Sequence, residues 1–178
     1  MRRIILWGLV SIMSTVGLGC GGYTHAVVVA ESTPGHIQAA RVHFRNGMRL
    51  YERGYYSRAA LQFELCIEQD PSYWEAHYYL ADCYRELSYY DRCLDHYYVV
   101  LDLYHEPVWV ARVQYNIGIV YERQGKYGDA RTRYELALKA KPGYGPAKKS
   151  RDRLLSKRIK EVKADEGRKR GRGKKSGD

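Results

Sequence analysis

The chain has 178 residues, 45% of them apolar and 28% charged, which fits a soluble body of about one domain and excludes a multi-span membrane protein or a wholly unfolded chain. Its net charge of +10 is localised. Residues 1–140 hold 15 basic and 15 acidic residues and residues 141–178 hold 15 and five, so a neutral body carries a basic C-terminal segment. Eighteen Tyr against two Phe is a ratio that needs a structural reason.

In chain order, the first element is an address. Arg2 and Arg3 precede an uncharged run from Ile4 to Leu18, too short for the roughly 20 residues of a membrane span and suited to the apolar core of a secretory signal. The run ends in Val16-Gly17-Leu18-Gly19-Cys20, which resembles the lipobox of bacterial lipoproteins. The resemblance implies cleavage after Gly19 and attachment of diacylglycerol to Cys20. Gly21 rather than Asp after the cysteine implies, by lipoprotein sorting rules, an outer-membrane protein facing the periplasm. Several acyl chains, at about 0.8 kcal/mol per buried methylene, make such an anchor stable. Residues 1–19 are therefore read as a signal peptide. Residues 20–36 are read as a tether, with Gly21-Gly22, a short Val27-Val28-Val29 stretch and the breakers Ser32-Thr33-Pro34-Gly35.

The middle of the chain repeats. Gly47-Met48-Arg49-Leu50, Ala81-Asp82-Cys83-Tyr84 and Gly118-Ile119-Val120-Tyr121 each start small and end large. The same register carries the turn residues Gly54, Ser88 and Gly125, the small residues Ala59, Cys93 and Ala130, and the aromatics Phe63, Tyr97 and Tyr134. Pro71 and Pro142 close the first and third units, while His105 stands at that place in the second. This pattern resembles the tetratricopeptide repeat, a 34-residue helix–turn–helix. The resemblance implies an all-α, helix–turn–helix repeat solenoid with units at 40–73, 74–107 and 111–144. Small Gly47 should let the second helix approach, with Ala59 meeting it and Leu50, Tyr56 and Phe63 filling the space around. Tyr suits the large positions if its hydroxyl reaches solvent at the edge of a thin two-helix layer, which would account for the Tyr excess.

A solenoid needs a seal. Pro146 suits a first helical turn, and Ala147, Leu154, Leu155, Ile159 and Val162 form an apolar stripe over a capping helix at 145–163. Residues 164–178 hold no apolar residue after Ala164 and are expected to be disordered.

The candidate working surface follows from the family resemblance, in which the first helix of each unit lines a concave groove. Arg41, Phe44, Met48 and Tyr51 share one helical face. Their counterparts are Glu75, Tyr78, Asp82 and Arg85, then Arg112, Tyr115, Ile119 and Glu122. Aromatic anchors among mixed charges suit a protein or peptide partner. The chaperone-tail clamp of the family is not supported, because it needs a particular Lys, Arg and Asn set and Met48, Asp82 and Ile119 stand at groove positions where those residues would help.

Other chemistry is sparse. No pair among the six histidines has helical metal-site spacing with a matching carboxylate pattern, and no phosphate loop or nucleophile elbow is present. No enzyme activity, metal or cofactor is expected. Cys66 and Cys93 occupy small-residue positions and read as core side chains, with a Cys83–Cys93 bridge as the alternative in an oxidising compartment. The basic tail could meet anionic lipid or a cell-wall polymer. Nucleic acid is not expected as a partner of an exported chain, and no aromatic follows Tyr144 to stack on bases. The sequence is read as a lipid-anchored cell-envelope adaptor that assists assembly of an envelope complex. The alternative is a non-lipidated repeat protein whose tail binds nucleic acid or an anionic membrane surface.

Overall fold

Three tight turns set the architecture. Gly54, Ser88 and Gly125 have φ of 77°, 63° and 75°, a left-handed conformation that lets a chain leave one helix and double back. The same bond closes each turn: Tyr55 N–H donates to Leu50 O at 3.0 Å, Tyr89 N–H to Tyr84 O at 2.8 Å and Lys126 N–H to Tyr121 O at 2.9 Å. Glycine adopts this φ freely, whereas at Ser88 it carries a steric cost.

The structure, a computed structural model, describes residues 34–173. The signal peptide, Cys20 and most of the tether lie outside the described residues. Seven helices follow one another: α1 (Pro34–Glu52), α2 (Tyr56–Gln69), α3 (Trp74–Glu86), α4 (Tyr90–Leu103), α5 (Pro107–Arg123), α6 (Tyr127–Ala140) and α7 (Gly145–Gly173). They pack in sequence order, each on its neighbour, as three hairpins and a terminal helix. The architecture is the all-α helical-repeat solenoid that the sequence implies. Among the described residues no helix is long and apolar enough to cross a membrane.

The seam of each hairpin is built on one small residue. A Cβ on Gly47 would lie 2.6 Å from Cε1 of Phe63, and one on Gly118 would lie 2.7 Å from Cδ1 of Tyr134. An aromatic ring, rather than Ala59, is therefore what Gly47 admits. Unit two carries Ala81 at this place, so α3 and α4 are spaced for a methyl group. Tyr97 and Tyr134 are fully buried, contrary to the expectation that such tyrosines reach solvent. Their hydroxyls donate instead to the carboxylates of Asp82 and Glu122. Tyr84, also buried, donates to Glu64. Paired hydroxyls can be buried at little cost, and that is a reason this chain can use Tyr where Phe63 serves in unit one.

The ends are treated differently. Ala76, Leu80 and Cys83 are buried on α3 against the preceding hairpin, and the positions one repeat earlier are Val42, Asn46 and Arg49. Val42 is 40% exposed and Arg49 bonds Asn46, so α1 presents a largely polar outer stripe, as a terminal repeat should. At the other end α7 seals unit three with Ala147, Ser150 and Leu154 buried. Ile159 of the expected stripe is 55% exposed, so the apolar seal is shorter than predicted.

Three boundaries depart from expectation. α1 starts at Pro34, taking the end of the tether into the helix. Residues 108–110, left between units two and three by the repeat register, form an added first turn of α5; Pro107 stands at its start and the Glu106 carboxylate accepts from the N–H groups of Val108 and Trp109 at 3.2 and 3.3 Å. α7 runs to Gly173, ten residues beyond the expected end of the capping helix at residue 163. No proline interrupts residues 164–173, and their Lys, Arg, Glu and Ala favour a helix against the cost of Gly167, Gly171 and Gly173. Residues 174–178 lie outside the described residues.

Candidate partner-binding groove

α1, α3 and α5 carry the predicted groove positions, and the structure treats each unit differently. In unit one, Arg41 is exposed, and Phe44, Met48 and Tyr51 are half-buried. Phe44 packs on Phe63, Tyr73 and Tyr79 with ring centroids 5.8, 5.0 and 5.9 Å apart. Tyr51 meets Tyr56 and Tyr79 edge-on at 5.6 and 5.4 Å. These rings form one aromatic wall that bridges units one and two.

In unit two the groove positions turn inward. Tyr78 is 7% and Asp82 4% exposed. The Tyr78 hydroxyl accepts from Asn116 Nδ2 at 3.0 Å, and its ring stands edge-on to Trp109 at 5.4 Å. Asp82 accepts the Tyr97 hydroxyl and pairs with Arg85 Nη1 at 2.6 Å. Burial pushes the Asp82 carboxyl up from its ordinary value, and Arg85 and the Tyr97 hydroxyl oppose that rise. Arg85 reaches on to Glu86 at 3.0 Å. Tyr78, Asp82 and Arg85 thus fasten α3 to α4 and α5 and shape the groove without offering a free surface. Glu75 is half-buried, and burial raises its carboxyl above the usual carboxylate range.

In unit three the groove opens. Arg112 is exposed and lies over the Trp109 ring at 4.4 Å. Tyr115 contacts Tyr134 and Tyr144 at 5.6 and 5.9 Å. Tyr115, Ile119, Glu122 and Arg123 form one side of a cleft of roughly 690 Å³ whose other side is Lys149, Ser150 and Arg153 of α7. Glu122 Oε1 and Oε2 accept from Arg153 Nη2 at 2.7 and 2.8 Å, and Oε2 accepts the Tyr134 hydroxyl at 2.8 Å.

Spacing along the first helices of the three units does not reach the α7 residues. Their signal is in the sequence nonetheless: Lys149 and Arg153 stand one 34-residue repeat after Tyr115 and Ile119. α7 therefore acts as the first helix of a fourth, incomplete unit and extends the groove, in addition to sealing the end.

Two further expectations concern chemistry away from the groove. Cys66, Cys83 and Cys93 are buried and unbridged, and burial pushes each thiol up to about 12. His77 and His96 face one another with Nδ1 atoms 2.9 Å apart, and His77 Nε2 lies 3.1 Å from Pro71 O. Among the described residues no group of three or more His, Cys, Asp or Glu side chains is arranged to hold a metal ion.

Such a groove on a stack of helix hairpins defines a helical-repeat scaffold. Two family models described as tetratricopeptide repeat match residues 44–104 and 75–142. Together they span residues 44–142, which carry tetratricopeptide repeats. Solved structures show the same fold. The first such domain of Spaghetti (RPAP3), bound to the HSP90 peptide SRMEEVD, aligns with a TM-score of 0.62 at 17% identity, covering 69% of this chain and 95% of that one. The Arabidopsis OM64 repeat domain gives 0.61 at 18% identity over 67% and 97%. The N-terminal domain of stress-induced protein-1 from C. elegans gives 0.62 at 18% identity over 69% and 99%. No curated protein sequence matches the chain.

Proposed function

We propose that this protein is a cell-envelope adaptor, anchored by lipid at Cys20 to the outer membrane on its periplasmic side, that holds a partner protein or peptide in the groove and so assists assembly of an envelope complex. The anchoring rests on the charged start, the short apolar run and the Gly19-Cys20 junction. The binding role rests on one observation above the others: Tyr115 and Ile119 line an open cleft between α5 and α7, whereas Tyr78 and Asp82 one unit earlier are buried. The Spaghetti domain, with this fold, holds a peptide, which supports the same mode of use here. A half-buried aromatic beside an aliphatic side chain is the composition that anchors a partner.

The experiment couples the two parts. Affinity purification of the full chain from envelope membranes identifies the partner, and Tyr115→Ala with Ile119→Ala should weaken its capture by about 2 kcal/mol, roughly thirtyfold, at unchanged helicity. Cys20→Ala should abolish acyl labelling and leave an unprocessed precursor. Undiminished capture by the double variant removes the groove from the mechanism, and labelling that persists in Cys20→Ala removes the lipid anchor.

A further inference from the structure

The solenoid repeats a second feature, at the edge where each hairpin turns. Tyr55 and Tyr89 follow the left-handed residues Gly54 and Ser88 and are 53% and 57% exposed. The turns close through backbone bonds and do not need these rings; Lys126 stands at the same place in unit three. Beside each ring lies an open recess. The first, roughly 480 Å³, is bordered by Tyr55, Ser57, Arg58 and Leu87. The second, roughly 440 Å³, is bordered by Tyr89, Asp91, Arg92 and Gln124. Leu87 and Gln124 end the first helix of the following unit, so each recess spans a joint between units.

The polar rim of these recesses narrows what they fit. Arg58 and Arg92 donate hydrogen bonds, Asp91 accepts them and Ser57 does either. The side-chain oxygen of Gln124 is buried with no hydrogen-bond partner among the described residues. An apolar side chain of a partner would use the tyrosine and leave this rim unmatched, and an anion would meet Asp91. A sugar ring uses both, because its C–H face covers the phenol ring while its hydroxyls, each donor and acceptor, meet the rim. Charge lies further along the same edge. Lys157 Nζ sits 4.6 Å from the centroid of the Tyr127 ring, so α7 passes the turn edge there and runs on to Gly173, roughly 24 Å at 1.5 Å per residue. Residues 160–173 hold six basic and three acidic residues. α1 starts at the opposite edge, next to the tether, so the tyrosine recesses and the basic overhang occupy the side of the body farthest from Cys20.

We propose that the hairpin-turn edge binds a linear cell-wall glycan, with one sugar ring on Tyr55, another on Tyr89 and acidic groups of the polymer against the α7 overhang. The groove and the edge then serve different ligands, a partner protein in one and the wall on the other. The cell wall as the source of the glycan rests on the envelope reading above; the sugar chemistry of the two recesses does not.

The test titrates the full chain with the uncharged tetramer of β-1,4-linked N-acetylglucosamine and sediments it with purified peptidoglycan. In spectra of the wild-type chain, the Tyr55 and Tyr89 signals should shift on addition of the tetramer while the Ile119 signals stay. Tyr55→Ala with Tyr89→Ala should weaken tetramer binding on the order of tenfold and reduce sedimentation, at unchanged helicity because both rings are exposed. Removing residues 160–178 should leave tetramer affinity intact and reduce sedimentation with peptidoglycan, by less as salt rises. Tyr115→Ala with Ile119→Ala should change neither. Absence of shifts at Tyr55 and Tyr89, wild-type affinity in the double Tyr variant, or an equal loss in the groove variant overturns the proposal. Sedimentation that depends on residues 160–178 alone also overturns it and assigns peptidoglycan binding to charge. Tetramer binding by a chain whose Cys20 carries no acyl group supports the edge and removes the envelope reading, whereas acyl labelling of Cys20 without tetramer binding removes only the edge.

Discussion

Gly118→Ala probes the seam of the third hairpin with a single added methyl. The new Cβ would fall 2.7 Å from Cδ1 and 3.1 Å from Cζ of Tyr134, where carbon atoms normally rest about 3.5–4.0 Å apart. The ring must therefore retreat by roughly 1 Å. It has little room to do so, because Tyr134 is fully buried, its hydroxyl is held by Glu122 and the Tyr115 ring packs on it at a tilt, with centroids 5.6 Å apart. Over-packing of this kind costs about 1–3 kcal/mol, and replacing Gly by Ala inside a helix returns up to about 1 kcal/mol. The net expectation is a loss of up to about 2 kcal/mol, and more for Gly118→Leu. Gly128 is the control. It lies in α6 with nothing within 4 Å of the place a methyl would take, so Gly128→Ala should stabilise by up to about 1 kcal/mol. Urea unfolding followed by circular dichroism measures both. Placing Gly118→Ala in a Tyr134→Leu background should remove most of its cost, a coupling of more than about 1 kcal/mol. The reasoning fails if Gly118→Ala stabilises as Gly128→Ala does, or if its cost is the same with and without the Tyr134 ring.

Ser88→Gly should raise stability by about 1 kcal/mol, because glycine occupies φ 63° without the penalty of a Cβ; an unchanged thermal midpoint would mean that no strain is stored there. Asp82→Ala should cost about 3–5 kcal/mol, since it strands buried Arg85 and Tyr97, and Asp82→Asn should cost less because it keeps an acceptor for the Tyr97 hydroxyl. Acid should weaken the fold through the histidine pair. Burial, then His77, then Arg92 hold His96 down at about 4, and burial also lowers His77 against the opposing bond to Pro71 O. The unfolded chain takes up protons from about pH 6.5 downward while folded His96 does not. Stability is therefore complete above pH 6.5 and falls by about 3 kcal/mol on the way to pH 4 from His96 alone. Urea midpoints across this window should show the slope in the wild-type chain and a shallower one in His96→Gln; equal slopes would refute it.

The repeat itself was legible without coordinates, and for a physical reason. Each hairpin solves the same local problem, a left-handed turn after one helix and a small residue facing the next. Only packing showed that the Phe63 ring, not Ala59, meets Gly47, but the turn residues Gly54, Ser88 and Gly125, the small residues Gly47, Ala81 and Gly118 and the aromatics Phe63, Tyr97 and Tyr134 recur in register. Local constraints of that kind are written residue by residue. The face carrying Arg41, Phe44, Met48 and Tyr51 follows from helical spacing in the same way, since residues three and four apart share a side.

What one helix's spacing does not contain is what comes to lie against it. Tyr78 and Tyr115 hold equivalent positions in their units, yet Tyr78 is closed over by Asn116 and Trp109 while Tyr115 borders an open cleft. The difference arises because three additional residues lengthen α5 by a turn at its start and bring Trp109 onto the second unit. Tyr97 and Tyr134 read as rim tyrosines until Asp82 and Glu122, carried on the facing helix of each hairpin, are seen to take their hydroxyls. Lys149 and Arg153 read as surface charges on a cap until α7 packs as a fourth first helix and turns them toward Tyr115 and Ile119. Sequence determined the unit, its turns and its faces, because these depend on neighbours within a few residues. Tertiary packing decided which groove positions stay open, because that depends on side chains brought together from different units.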